Sequence, residues 1–427
     1  MNLRMASFVP VMMLFLIAIL SLNASGQDST SQIVRLIHAD SLVGYSSGGN
    51  SFRELNGHVL FSQGQTTLSC DRALQNLTTN QVDLFGNVVV HDDTLTLKAK
   101  QARYFAKTKT VYCDYGVYLN DTKRTLTADK GDYNSTDKVA HFAGNVFVQD
   151  SLSQLFANQL VYYREEGKTF ADGDVRIISK ENHVTVYGGH FENYEKKKYS
   201  MMKLAPVLVQ IDTASDGKID TLMIKSRLME AFRDTVEERF VATDSVEVIR
   251  SELMARCGLG TYFANDSLIV LVSSPVVWYE DNQLTGDSIS VYLHNKMVSR
   301  VHVVGFAFAL SQSDSLYQDR FNQLKGKELT MYLNKKKVER IVVDNNAVSL
   351  YYLYDKNKPN GVNKVSGDKV VMYFRDGKID KISVTGGVEG DYYPEKLIKG
   401  EVESYNLDGF RLYTDKPVGA DFRKIFR

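Results

Sequence analysis

A pattern that returns about every twenty-nine residues constrains this chain more than any other feature, because a repeat of that length is one supersecondary unit stacked on its copies. One half of the unit is a short glycine-centred segment: LNGHVLF around Gly57, LFGNVVV around Gly86, CDYGVYL around Gly116, FAGNVFV around Gly144 and ADGDVRI around Gly173. The other half sets a small residue before a polar one, at Ala39-Asp40, Cys70-Asp71, Ala99-Lys100, Ala128-Asp129 and Ala157-Asn158. Later copies drift but keep phase, with ATDSVEVI near Ser245, SSPVVWY near Ser274, VVGFAFAL near Gly305, VDNNAVSL near Ala347 and VTGGVEG near Gly387. Their partner halves are Gly286-Asp287, Gly326-Lys327 and Gly367-Asp368.

Within a unit the apolar period is two, as in Leu95, Leu97 and Ala99, so the unit is made of strands and a helical solenoid is excluded. The phase slips after the small residue: Ala99 is followed by Ala102 and Tyr104, and Ala128 by Gly131 and Tyr133. An odd step exchanges faces, which predicts a bulge in each unit at that point. Pro206 and Pro275 fall where Asn87 and Asn145 stand in other copies, which predicts an amide outside the ladder. A recurring Asp-Ser/Thr-Leu, at Asp40, Asp93, Asp150, Asp220, Asp266 and Asp314, is read as a turn marker, since a short carboxylate bonds nearby amides.

Each unit therefore predicts two antiparallel strands that cannot bury their apolar face alone. The expected fold is all-β: an elongated, twisted antiparallel β-jellyroll, V-shaped or taco-like, built from about eleven two-strand repeats of ~29 residues. Residues 27–215 form the clearer repeat region and 216–427 a more divergent one, continuous with the first or separate from it.

Residues 1–26 read as a secretory signal, with Arg4, an apolar run from Phe8 to Leu20 and Ala24-Ser25-Gly26 as a cleavage site. The run is shorter than the ~20 residues needed to span a bilayer, and no cysteine follows it to carry a lipid anchor. Lys+Arg and Asp+Glu are matched at 51 each, which argues against nucleic acid as a partner. The three cysteines, Cys70, Cys113 and Cys257, fit apolar packing better than a disulfide framework. The eight histidines show no metal-ligand spacing, so neither a metal nor a cofactor is expected. Glu165-Glu166 and Glu237-Glu238 point to opposite faces of a strand, and no catalytic constellation is present. GYSSGGNS at 44–51 lacks the ending of a phosphate loop and reads as a hairpin connection.

The stretch LNGHVLFSQGQTTLSCDRA at 55–73, with its Ala-Asp and Gly-Asn-Val companions, resembles the OstA/LptA-like proteins of lipopolysaccharide transport. The similarity is good from about Ile33 to Lys180 and continues in phase beyond. The resemblance implies a periplasmic jellyroll whose apolar groove shields the acyl chains of lipopolysaccharide, and whose end strands pair with other transport proteins or head to tail with its own copies. The outer-membrane member of the group carries a large barrel after such a domain, for which this chain, ending at Arg427, leaves no room. Candidate groove residues are Phe61, Leu68, Val88, Val90, Leu95, Leu97, Val146, Val148 and Leu155, which otherwise fill the core. Candidate pairing edges are Ile33 to His38 and Phe410 to Tyr413. Two other classes were weighed: an envelope scaffold or adhesive repeat protein with a filled interior, and a carbohydrate-degrading β-helix, which would need acids clustered on one face.

Overall fold

The structure, a computed structural model, describes residues 33–419 apart from residue 182 and the segments 214–218, 234–237, 251–252, 295–296, 335–336, 356–357 and 376–377. The expected signal, 1–26, lies outside the described residues. The described residues form one 30-stranded sheet in which neighbouring strands run antiparallel, as the period-two repeats require. Among the described residues helical structure is short, at Glu195–Lys197, Glu395–Ile398 and Val402–Tyr405 and at Gly419.

What turns this sheet into two facing walls is a corner in the middle of each long strand. In the pair Asn50–Gln63 and Thr66–Asn76, Asn56 faces Arg72 and Val59 faces Cys70, so Gly57-His58 stands opposite the single residue Asp71. Such a two-against-one bulge bends the strand. Both bulged residues are left-handed, with φ +75° at Gly57 and +45° at His58; Gly86-Asn87, Gly144-Asn145 and Gly173-Asp174 repeat the pair. Glycine carries no steric penalty there, and Asn and Asp tolerate the conformation better than most residues.

The polar half of the repeat supports the corner. Asn87 donates to Asp71 at 2.9 Å and Asn145 to Asp129 at 2.8 Å, while His58 lies 2.9 Å from Asp40. A Cβ on Gly86 would collide with Asp71, and one on Gly144 with Asp129. The Gly-Asn and Ala-Asp halves thus recur at one spacing because they touch. Pro206 and Pro275 follow a left-handed pair, Leu204-Ala205 and Ser273-Ser274, one residue later than the Asn slot expected from the sequence. Both lie between strands, where no ladder amide is needed.

The two legs of each strand lie in different walls. Residues 50–56 pair with Ser41–Ser47, and residues 60–62 pair with Arg35–His38. Hairpin turns form the two lips of the V. Asp150 accepts the amides of Leu152 and Ser153, and Asp314 that of Leu316, as expected of turn aspartates. Asp40 instead belongs to a corner, and Asp220 lies inside the strand Ile219–Lys225 paired to Arg250 at 2.8 Å, so neither marks a turn. Gly48-Gly49 closes a tight hairpin with φ +58° and +77°, the left-handed pair that suits right-twisted strands.

Two apolar cores fill the space between the walls, one running from Val34 to Met202 and one from Val246 to Met372. A third cluster was not foreseen. In Met297–Gln312, Ala307 and Ala309 face the inner core, whereas Phe308 and Leu310 face outward and pack with Leu350, Tyr352, Val362 and the tail residues Ile398, Val402 and Leu407. The tail runs back over the outer face of one wall, tied by a two-fold Arg320–Glu395 contact, by Gln323 to Asn406 and by Gln283 to Arg411. It reaches Arg256 through Asp415. The expected edge at Phe410 to Tyr413 is therefore corrected: it forms no strand, and the Tyr413 amide donates to Gln283 at 2.8 Å. Among the described residues the Arg35–His38 edge pairs on one side only, with Asn50–Gln63.

Candidate binding trough

Among the described residues the inner faces of the two walls carry the extended apolar surface that the repeat builds from copy to copy, and they form the candidate site. All nine candidate groove residues lie there. Phe61, Leu68, Leu95 and Leu97 are 0% exposed, Val88, Val90 and Val146 are 1%, and Leu155 is 9%. Val148 is half-buried against the same cluster. In this part of the molecule the side chains of one wall fill the gap against those of the other, as close packing demands.

The lips here are fastened as well. Tyr104 donates to Gln63 at 2.6 Å, Tyr133 to Asp92 at 2.6 Å and Tyr162 to Asp121 at 2.8 Å, each pair forty-one residues apart and each bridging the walls. All six side chains are buried. Lys138 adds an ion pair to Asp92 at 2.6 Å, Arg164 bridges to Asp93 at 3.0 Å, and Arg124 joins Asp121 to Glu195. Burial works against the Asp92 carboxylate, but Lys138 and Tyr133 outweigh it and hold its pKa below the ordinary value. Burial, then the bond to Asp92, pushes the Tyr133 phenol up, so it stays a donor at neutral pH.

The fastening stops after Tyr162. The row that holds Tyr104, Tyr133 and Tyr162 continues across the ladder through Thr169 as Asn193, Ser200 and Ala231. None of these carries a phenol. Between Met202 and Val246 the buried apolar residues among those described are Pro206 and Val207 alone. The inner row of one wall there is Val186, Leu208, Ile224 and Val248, facing Phe191, Met202, Met229 and Ala242 of the other. All but Met202 are half-buried. Val186, Phe191 and Met229 touch the first core, and Ile224, Ala242 and Val248 the second. The two cores do not merge, and residues 184–250 leave an apolar inner face partly open.

Sequence reasoning named no groove residue in this central stretch. The available signal was the replacement of the lip tyrosine by Asn193 and Ser200, together with the methionines at 201, 202, 223 and 229. At the rim, Arg233 donates to Asn193 and to Ser200, the latter at 3.1 Å, and Arg250 holds Asp220. Near the corner His190 sits between Asp172 at 2.6 Å and Glu192 at 3.1 Å. The bond to Asp172, opposed by some burial, raises the His190 pKa; Glu192, despite partial burial, is drawn down to about 2 by Lys203, Tyr194 and His190.

The cysteines are buried and free, and burial pushes Cys70 up to about 11 and Cys113 and Cys257 up to about 12, so none is a reactive thiolate. Among the described residues no group of three His, Cys, Asp or Glu side chains is placed to hold a metal ion.

Comparison with known proteins agrees with the repeat. Residues 31–187 match the family described as OstA-like protein, and residues 125–297 match the family described as LptA/(LptD N-terminal domain) LPS transport protein. Among solved structures the chain is similar to LptH, the LptA homologous periplasmic component of the lipopolysaccharide transport device from Pseudomonas aeruginosa, at 13% identity and a TM-score of 0.26. That similarity covers 33% of this chain and 95% of LptH. No curated protein sequence is significantly similar to the chain.

Proposed function

From a chain whose residues 31–187 match the OstA-like family and whose residues 125–297 match the LptA/(LptD N-terminal domain) LPS transport family, we propose that the protein is a periplasmic bridge segment that carries lipopolysaccharide between the membranes with its acyl chains held between the two walls. The observation that carries this reading is a single hydrogen-bonded sheet whose apolar inner face runs from the first strand pair to the last. A fatty acyl chain gains roughly 0.8 kcal/mol for each methylene removed from water, so even a partly open apolar trough retains such a lipid.

The N-terminal edge supplies the joint to a partner. Among the described residues Arg35–His38 and Ser41–Ser47 pair only with Asn50–Gln63, and Ile37, Leu42, Val43 and Tyr45 along them are 44–57% exposed. An unpaired edge of this kind accepts a strand from another transport protein or a second copy. The test is photocrosslinking from inward positions along the trough, Val148 and Leu208, beside outward Lys98, in cells making labelled lipopolysaccharide. Lipid adducts from an inward position and none from Lys98 are expected. Adducts from neither inward position, in protein that folds and is exported, sink the reading.

A second reading has its own observation. The interior around Phe61, Leu68 and Leu97 is filled by the protein's own side chains, which is what an envelope scaffold with no lipid trough would show. The same experiment separates the two.

A further inference from the structure

We infer that the acyl chains of the cargo lie at the central stretch, residues 184–250, and not in the fastened repeats before it, with Arg233 at the rim facing the anionic head group. This rests on the transport reading above and says where along the trough that reading is realised.

Three observations lead there. The first is closure: from Tyr104 to Tyr162 the walls are bridged by buried phenols and the space behind them is packed, so a lipid chain there would have to displace both. The second is opening: among the described residues of 184–250 the row of Leu208, Ile224 and Val248 and the row of Phe191, Met229 and Ala242 face each other only half-buried. Apolar surface left open on a soluble body marks a site, and methionines adapt to chains of irregular shape. The third is charge: the Arg233 guanidinium hangs at the lip on the Asn193 amide oxygen and the Ser200 hydroxyl, where a phosphate would meet it.

The shape of the opening selects the occupant. Facing sheets sit about 10 Å apart, so the slot left by removing part of one side-chain layer is thinner than an α-helix, which needs ~10–12 Å. An added strand is excluded too, because the inner faces present side chains and their backbone groups are already paired within each wall. Extended acyl chains below an anionic head group fit both the width and the rim.

The test uses the full chain. Benzoylphenylalanine at Leu208 and at Ile224, compared with Leu97, is exposed to labelled lipopolysaccharide in the envelope. The expected result is several-fold more adduct from the central pair than from Leu97, lowered again by Arg233→Gln. Equal or greater yield from Leu97 overturns the central location while leaving the transport reading in place, and no adduct from any of the three overturns both. Because a bulky residue at Leu97 endangers folding, hydrogen exchange of the unmodified protein with and without lipopolysaccharide gives an independent answer: added protection within 184–250, and none within 95–163, is required.

Discussion

Residues 50–180 and residues 184–250 obey the same pairing rule and bend the sheet through the same kind of left-handed corner, yet only the first stretch is closed. In the first, large side chains such as Phe61, Leu97 and Tyr133 meet across the gap and phenols bridge the lips. In the second, Met202, Met229 and Ala242 line much of one wall, and Asn193 and Ser200 continue the row of the bridging tyrosines. A repeat therefore fixes how strands pair without fixing how far apart two walls stand. The spacing is set by side-chain volume and by a few polar bridges, which drift independently of the corner residues.

The sharpest way to break this comparison is to remove the same kind of group from each stretch. Leu97→Ala should cost about 2–5 kcal/mol, the range for opening a cavity in a packed core, whereas Ile224→Ala should cost about 1 kcal/mol or less. Denaturant unfolding measures both; equal losses would mean that the central walls are closed in solution. The corners come next. Gly86→Val forces a β-branched residue to φ +71° against Asp71 and should cost about 1–3 kcal/mol, read from the same unfolding curves. Loss of stability no larger than for an exposed surface change would undo the account of the repeat.

The lip bridges should give an effect of similar size. Tyr133→Phe removes one bond to the Asp92 carboxylate and should cost about 1.5–3 kcal/mol, with amide exchange rising at both lips, residues 90–95 and 133–138. An unchanged exchange pattern would show that packing alone closes the walls. The smallest effect separates the two stretches by pH. Asp92 has a lowered pKa, so its contribution is present above the unfolded value of about 3.9 and is lost as pH falls through the folded one. His190 has a raised pKa, so its pairing with Asp172 contributes fully below about 6.5 and is lost as pH rises through the folded value. Acid should therefore loosen the fastened repeats first, and mild alkali the corner at His190. Titration followed by the histidine ring resonances and by exchange at Tyr133 reads both, and His190→Gln should abolish only the alkaline change.

The chain's own order of residues determined the repeat, the period of two, the antiparallel strands and the inward direction of Phe61, Leu97 and Val148, because these follow from local geometry and spacing. Even the corner was half legible: the phase slip after Ala99 pointed to a bulge, but the extra residues are Gly86-Asn87 on the facing strand, against the single Lys100, and the contact between Asp71 and Gly86 that explains why the two motifs travel together was not in the pattern. Tertiary structure alone decided the rest. Whether an inward residue meets a neighbour or open space depends on a wall contributed by residues some forty positions away, as Tyr133 and Asp92 illustrate. The apolar outer face at Phe308 and Leu310 made sense only once the tail covered it, and Trp278 found its acceptor on Tyr413, 135 residues further on. Local pattern sets which way a side chain points; the company it finds there is a property of the folded walls.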